Sequence, residues 1–150
     1  MPFLRAVVME ALRLYPPVPL LYRKPVAQSV FENEQVTRKT TFLVGVYSVN
    51  RDRGYWGDDA DEFNPERWES PVLSTVDTKY MYMSFSQGPR SCIGKYFALA
   101  SMKCILVTLV DRFSFDEINP GTHPKLLKGV FLKPQTGFKL RLTRCPPVEI

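Results

Sequence analysis

One cysteine is set apart by its surroundings. Cys92 lies in residues 85–94, FSQGPRSCIG, where Gly88-Pro89 is a strong turn signal and Gly88 and Gly94 can take backbone angles closed to other residues. Residues 93–110 follow at once, carrying Tyr96, Phe97, Leu99, Met102, Ile105, Leu106, Val107 and Leu109 with only Lys95 and Lys103 as charges. That run is apolar on nearly all sides, which predicts a buried helix. A cysteine at the mouth of a helix meets unpaired backbone N–H groups and the positive end of the dipole, and Arg90 stands two residues away. Negative charge on the sulfur is favoured there. Cys92, Cys104 and Cys145 show no C-x-x-C spacing, so they cannot complete a structural zinc site. Three chemistries remain: a nucleophile, a redox thiol, or a single axial ligand to a metal held by something else. A large flat cofactor that brings its own four ligands suits the last.

Phe85, Gly88, Arg90, Cys92 and Gly94 match the pattern F-x-x-G-x-R-x-C-x-G. The loop thereby resembles the heme-binding loop of the cytochrome P450 family, whose iron carries a cysteine thiolate. The resemblance implies that Cys92 is the proximal iron ligand and Arg90 a partner of a heme propionate. It displaces the plain reading of Cys92 as a small buried hydrophobe.

A second motif lies near the start of the chain. Leu4, Val7, Val8, Ala11 and Leu12 recur at helical spacing from Pro2 until Pro16-Pro17 forbids continuation, so residues 2–14 read as a helix. Glu10 and Arg13 can face each other on it, and as an exposed pair they would contribute only about 0.2 to 0.5 kcal/mol. EALR followed by LYPP resembles the E-x-x-R helix of the same family, in which the pair is buried and joined by an arginine from a later P-E-R segment, here Arg67 of PERW. In that setting, removing one partner strands a buried charge, at roughly 3 to 5 kcal/mol. After the prolines, Arg23 resembles the strand arginine that meets the second propionate. A bidentate guanidinium suits a carboxylate well.

The elements that must position these groups read as follows. Residues 24–40 form a short polar hairpin, and 42–49 are a β-branched and aromatic strand passing into a short helix near Asn50. The family often has His-Arg-Asp where this sequence has Asn50-Arg51-Asp52, a departure of little expected consequence. Residues 54–68 are turn-rich and acidic. They lack the alternating ligands, central glycine and terminal glutamate of a calcium loop, so a capped, solvated turn is expected. From there to Phe85 the chain is irregular but packed, because Trp68, Tyr80, Tyr82 and Met83 need cover. Residues 113–115 form a strand. Residues 129–133 and 138–144 flank PQTG as the arms of a hairpin, with Phe138, Leu140 and Leu142 alternating with Lys139, Arg141 and Thr143. His123 is a loop residue without catalytic duty.

The chain has 150 residues, 45% of them hydrophobic, enough for one domain with a core. It carries a net charge of +5, but the basic residues are scattered and no recognition motif accompanies them, which excludes nucleic acid as a partner. No uncharged run of about eighteen apolar residues and no basic-then-apolar leader is present, so the chain reads as soluble and unanchored. Three cysteines without framework spacing fit a reducing compartment.

Taken together, the fold class is α+β, the C-terminal part of the cytochrome P450 fold, with residues 1–150 as a truncated heme-binding portion. The motifs are in the style of eukaryotic microsomal members, fungal ones included. The family implies a heme-thiolate monooxygenase that inserts oxygen from O2 into a small organic substrate. Electrons come from NADPH through a cytochrome P450 reductase, docking near Lys95, with Lys79 and Lys103 as further contacts. A complete relative sits on the endoplasmic reticulum membrane. Beyond the heme ligand no catalytic residue is expected here, and the isolated chain should be inactive. The competing readings are a truncated non-catalytic fragment and a heme-thiolate isomerase or dehydratase.

Overall fold

The computed structural model describes residues 1–69, 80–118, 121 and 125–146. Lys79 and His123 lie outside the described residues. Helix α1 (Pro2–Leu14) occupies the predicted span, with Pro2 in its first turn. Its inner face, Val8, Met9 and Leu12, forms the core with Trp56, Ala60, Met81 and Tyr82. Strand β1 (Leu20–Arg23) then pairs antiparallel with β4 (Phe42–Gly45) around the hairpin of β2 (Ser29–Phe31) and β3 (Glu34–Val36). Chain direction reverses at Glu32 and Asn33, both in the left-handed region. β4 runs directly into the short helix α2 (Val46–Val49), which takes up the second half of the run read as strand and ends at Asn50.

Residues 54–68 are capped and mostly exposed, as expected, but they are more than a solvated turn. They include most of helix α3 (Arg53–Trp56), started by the Asp52 side chain accepting from Gly54 N, and most of a 3-10 turn, Pro65–Glu69. Trp56 and Ala60 belong to the core. The segment folds inward because its backbone carbonyls face a buried guanidinium, described below. A row of rings, Trp56–Trp68 at 5.7 Å, Trp68–Tyr82 at 5.1 Å and Tyr82–Phe85 at 6.4 Å, continues from there to the start of the cysteine loop. Tyr82 has the predicted cover, whereas Tyr80 lies largely exposed.

Helix α4 (Lys95–Arg112) is present but is not buried all round. Leu99, Met102 and Leu106, at helical spacing, pack on the core. Tyr96 and Phe97 remain 81% and 79% exposed, and Ile105 and Val110 are exposed as well. A helix apolar on every side needs neighbours on every side, and the described residues cover only one stripe. The C-terminal pairing also differs from expectation. β7 (Leu132–Pro134) pairs with β6 (Leu126–Lys128), whereas β8 (Leu140–Arg144) pairs with β5 (Phe113–Glu117), the strand that leaves α4. Period-two alternation marks a strand without naming its partner, and all of β8 is exposed on both faces. The architecture is α+β, with four two-stranded sheets among the described residues. No helix of the described residues is long and apolar enough to cross a membrane.

Candidate functional site

Two motifs far apart in sequence meet around a buried carboxylate. Glu10 and Arg13 are both 0% exposed. Glu10 Oε1 accepts from Arg13 Nη2 at 2.8 Å, Arg67 Nε at 2.9 Å and the Asn64 backbone N–H at 3.0 Å. Oε2 accepts from Arg13 Nε and Trp68 Nε1, each at 2.9 Å. Arg13 completes its set of donors on carbonyl oxygens: Nη1 to Asn50 at 2.7 Å and Ala60 at 2.6 Å, and Nη2 to Glu62 at 3.0 Å. All five guanidinium N–H groups are therefore used. Arg67 reaches outward as well, donating from Nη2 to Asp59 Oδ2 at 2.9 Å.

Burial alone pushes the Glu10 carboxyl up, but the donors from Arg13, Asn64 and Arg67 outweigh it and hold the group below the usual carboxylate range. Arg67 is likewise disfavoured as a cation by burial, yet Glu10 and Asp59 raise it overall. The cluster is a buried ionic network with its donors and acceptors satisfied, far from an exposed helix pair. Sequence reasoning missed Trp68 Nε1 and Asn64 N, because neither has a signal beyond lying next to the P-E-R segment.

The cysteine loop stands at the far end of the ring row. Its 3-10 turn, Gly88–Arg90, is entered through Gly88 at φ +77°, the left-handed region. Gly94, by contrast, sits at φ −86°, open to any residue. A side chain there would lie 4.0 Å from Cys92 Sγ. Gly94 therefore does not use the conformational freedom that glycine offers, whereas Gly88 does. The other left-handed residue of the loop is Ser86, at φ +58° and buried. The Cys92 amide donates to the Phe85 carbonyl at 2.8 Å, closing the loop, and α4 begins just beyond with Gly94 as its N-cap.

Cys92 is exposed, so its sulfur is not walled in by aliphatic neighbours. Arg90 is exposed, and its guanidinium makes no hydrogen bond or ion pair among the described residues. Arg23, at the end of β1, donates from Nη2 to Ser86 Oγ at 3.0 Å. One thiol and two guanidinium groups thus belong to or touch a single ten-residue loop. No group of three or more His, Cys, Asp or Glu suited to a metal ion occurs among the described residues. This donor set fits a planar anionic cofactor that carries its own equatorial ligands, with sulfur for its metal and cations for its carboxylates. On another face, Arg5, Lys95 and Lys103 line a groove of about 280 Å3 with Val8, Met9 and Leu99.

Comparison with known proteins agrees with these motifs. The family model for cytochrome P450 matches residues 1–142. A cytochrome P450 monooxygenase of Petromyces alliaceus is 40% identical over 121 residues, covering 77% of this chain and 22% of the relative. Another, of Aspergillus fumigatus, is 32% identical over 152 residues, covering 99% and 27%. An alkane hydroxylase of Arabidopsis thaliana is 31% identical over 144 residues, covering 95% and 29%. The chain thus spans about a quarter of the length of these relatives. With both motifs in one fold and a family match over nearly its whole length, the chain belongs to the cytochrome P450 family.

Proposed function

We propose that the chain is the C-terminal, heme-binding portion of a heme-thiolate monooxygenase, giving the proximal half of the heme site. Cys92 is the axial sulfur ligand, and Arg23 and Arg90 hold the two propionates. The observation that carries this reading is the Arg23–Ser86 hydrogen bond, which attaches the strand arginine to the loop that contains Arg90 and Cys92. When bound, the heme supplies oxygen activation and insertion of oxygen into a C–H bond of a small organic substrate. The chain's own part is to present the sulfur, to neutralise the propionates and to keep both in register. The Glu10 lock serves the last of these by joining α1 to the PERW turn beneath the ring row.

Electrons reach the heme from NADPH through a reductase docking on the groove lined by Arg5, Lys95 and Lys103, whose three cations suit an acidic partner. The complete protein works at the endoplasmic reticulum membrane. Two observations favour a narrower reading of these 150 residues by themselves, as a heme-binding unit without turnover. They match only about a quarter of their relatives' length, and α4 leaves most of its apolar surface uncovered among the described residues. Product formation by the purified chain with a reductase would overturn the narrower reading.

A hemin titration followed by absorbance tests the site. The chain should saturate at one heme per molecule, and Arg23→Ala and Arg90→Ala should each weaken binding by about tenfold to a hundredfold, the usual size of one charge-assisted hydrogen bond. Affinity unchanged by both substitutions would refute the assignment.

A further inference from the structure

The double proline that ends α1 creates a need that its own helix cannot meet. In a continuing helix the Leu12 and Arg13 carbonyls would accept from the N–H groups four residues on, but those positions are Pro16 and Pro17. Both residues are buried, so water is no ready substitute. The missing donors come from elsewhere. Asn50 Nδ2 donates to the Arg13 carbonyl at 3.0 Å, and Ser84 Oγ donates to the Leu12 carbonyl at 2.8 Å.

The same two side chains are joined to each other and to the segment leading into the cysteine loop. Asn50 Nδ2 also donates to Ser84 Oγ at 2.8 Å, and Asn50 Oδ1 accepts from the Met83 N–H at 2.9 Å. A backbone carbonyl on one side and a backbone N–H on the other fix the amide orientation. Both hydrogens and the oxygen of a fully buried side chain are thereby satisfied. The Asn50 carbonyl in turn accepts from Arg13 Nη1 at 2.7 Å, so one residue touches both the ionic lock and the loop. Two short backbone bonds carry the connection onward: Ser86 N–H to the Met83 carbonyl and Cys92 N–H to the Phe85 carbonyl, each 2.8 Å.

We infer that Asn50 is a positioning residue for Cys92: it caps the proline-terminated end of α1 and uses that rigid end to hold Met83 and Ser84, and through them the height of the cysteine loop. The inference rests on the heme reading only for its consequence at the metal. Its structural half is independent of any cofactor. Asn50→Ala removes all three side-chain bonds, and Ser84→Ala removes only the hydroxyl shared between Asn50 and Leu12. Val46→Ala serves as a control, since it removes buried side-chain volume one helical turn from Asn50, whose N–H donates to the Val46 carbonyl, while no Val46 side-chain atom takes part in the network.

Amide exchange of the heme-free chain gives the first readout. In Asn50→Ala, and more weakly in Ser84→Ala, exchange of the Ser86 and Cys92 amides should rise about tenfold relative to the α1 amides of Val8 and Leu12, the equivalent of one lost hydrogen bond. Val46→Ala should shift loop and helix amides by the same factor. The second readout is spectroscopic: after hemin loading, reduction and addition of carbon monoxide, the fraction with a sulfur-ligated Soret band should fall in Asn50→Ala and Ser84→Ala but not in Val46→Ala. Loop amides that keep their rank in Ser84→Ala and Asn50→Ala overturn the inference. The exchange pattern in the two variants, together with a wild-type chain that gives no sulfur-ligated heme, overturns the proposed function instead and leaves the loop anchor standing.

Discussion

Replacing Glu10 by glutamine keeps the shape of the buried lock and removes its charge. With the amide oxygen in the Oε1 position, the bonds from Arg13 Nη2, Arg67 Nε and Asn64 N survive. The amide nitrogen then faces Arg13 Nε and Trp68 Nε1, each formerly 2.9 Å from an acceptor. Donor now opposes donor twice in a dry site, at about 1 to 3 kcal/mol each. The sum of about 2 to 6 kcal/mol brackets the roughly 3 to 5 kcal/mol expected when a buried guanidinium loses its counter-charge. At ~2 to 4 °C per kcal/mol for a domain of this size, Glu10→Gln should lower Tm by about 6 to 20 °C. Urea unfolding followed by tryptophan fluorescence is the fitting assay, because the chain's two tryptophans, Trp56 and Trp68, both border the lock. A loss under about 1 kcal/mol, the value of an exposed pair, would refute the claim that this cluster locks α1 to the PERW turn.

Glu10 is held below its ordinary acidity range in the folded chain, so the unfolded chain binds the proton first as pH falls. Its stabilising contribution should be complete above about pH 4.3 and drain away below it; urea midpoints across that range should fall less steeply for Glu10→Gln than for the wild type. Gly88→Ala forces a side chain into φ +77° and should cost about 1 to 2 kcal/mol, while Gly94→Ala, at φ −86°, should bring no backbone strain. Paired thermal melts decide this, and equal losses would contradict it. Phe97→Ser should change stability by under about 0.5 kcal/mol, since Phe97 is exposed, whereas Leu106→Ala on the packed stripe should cost more; denaturant titration ranks them.

Much of the site could be read from residue types because its chemistry is local. Ten residues specify the cysteine loop, and four specify the Glu10–Arg13 pair. Arg67 was found through the P-E-R segment, and its bond to Glu10 closes 57 positions of sequence. Less visible were groups whose role depends on what the fold brings opposite them. Asn50 read as a minor departure from a motif, yet it is fully buried and bonds the end of α1 and the Met83–Ser84 segment. The signal that could have found it was Pro16-Pro17, which announces two carbonyls in search of donors. Ser86 gave no sign that it would take a left-handed angle and meet Arg23. The apolar run of α4 reported what the helix could bury, and a sequence pattern cannot say how much cover arrives. Strand partners were misassigned for a related reason: alternation in residues 138–144 fits β5 as well as the nearer segment.

The central claim is that Cys92 offers its sulfur to a heme iron. Its most direct test is the Soret band of the hemin-loaded, reduced chain under carbon monoxide. A strongly red-shifted band that disappears in Cys92→Ala is the predicted result. An unshifted band in the wild type, or a shifted band that persists in Cys92→Ala, would contradict it.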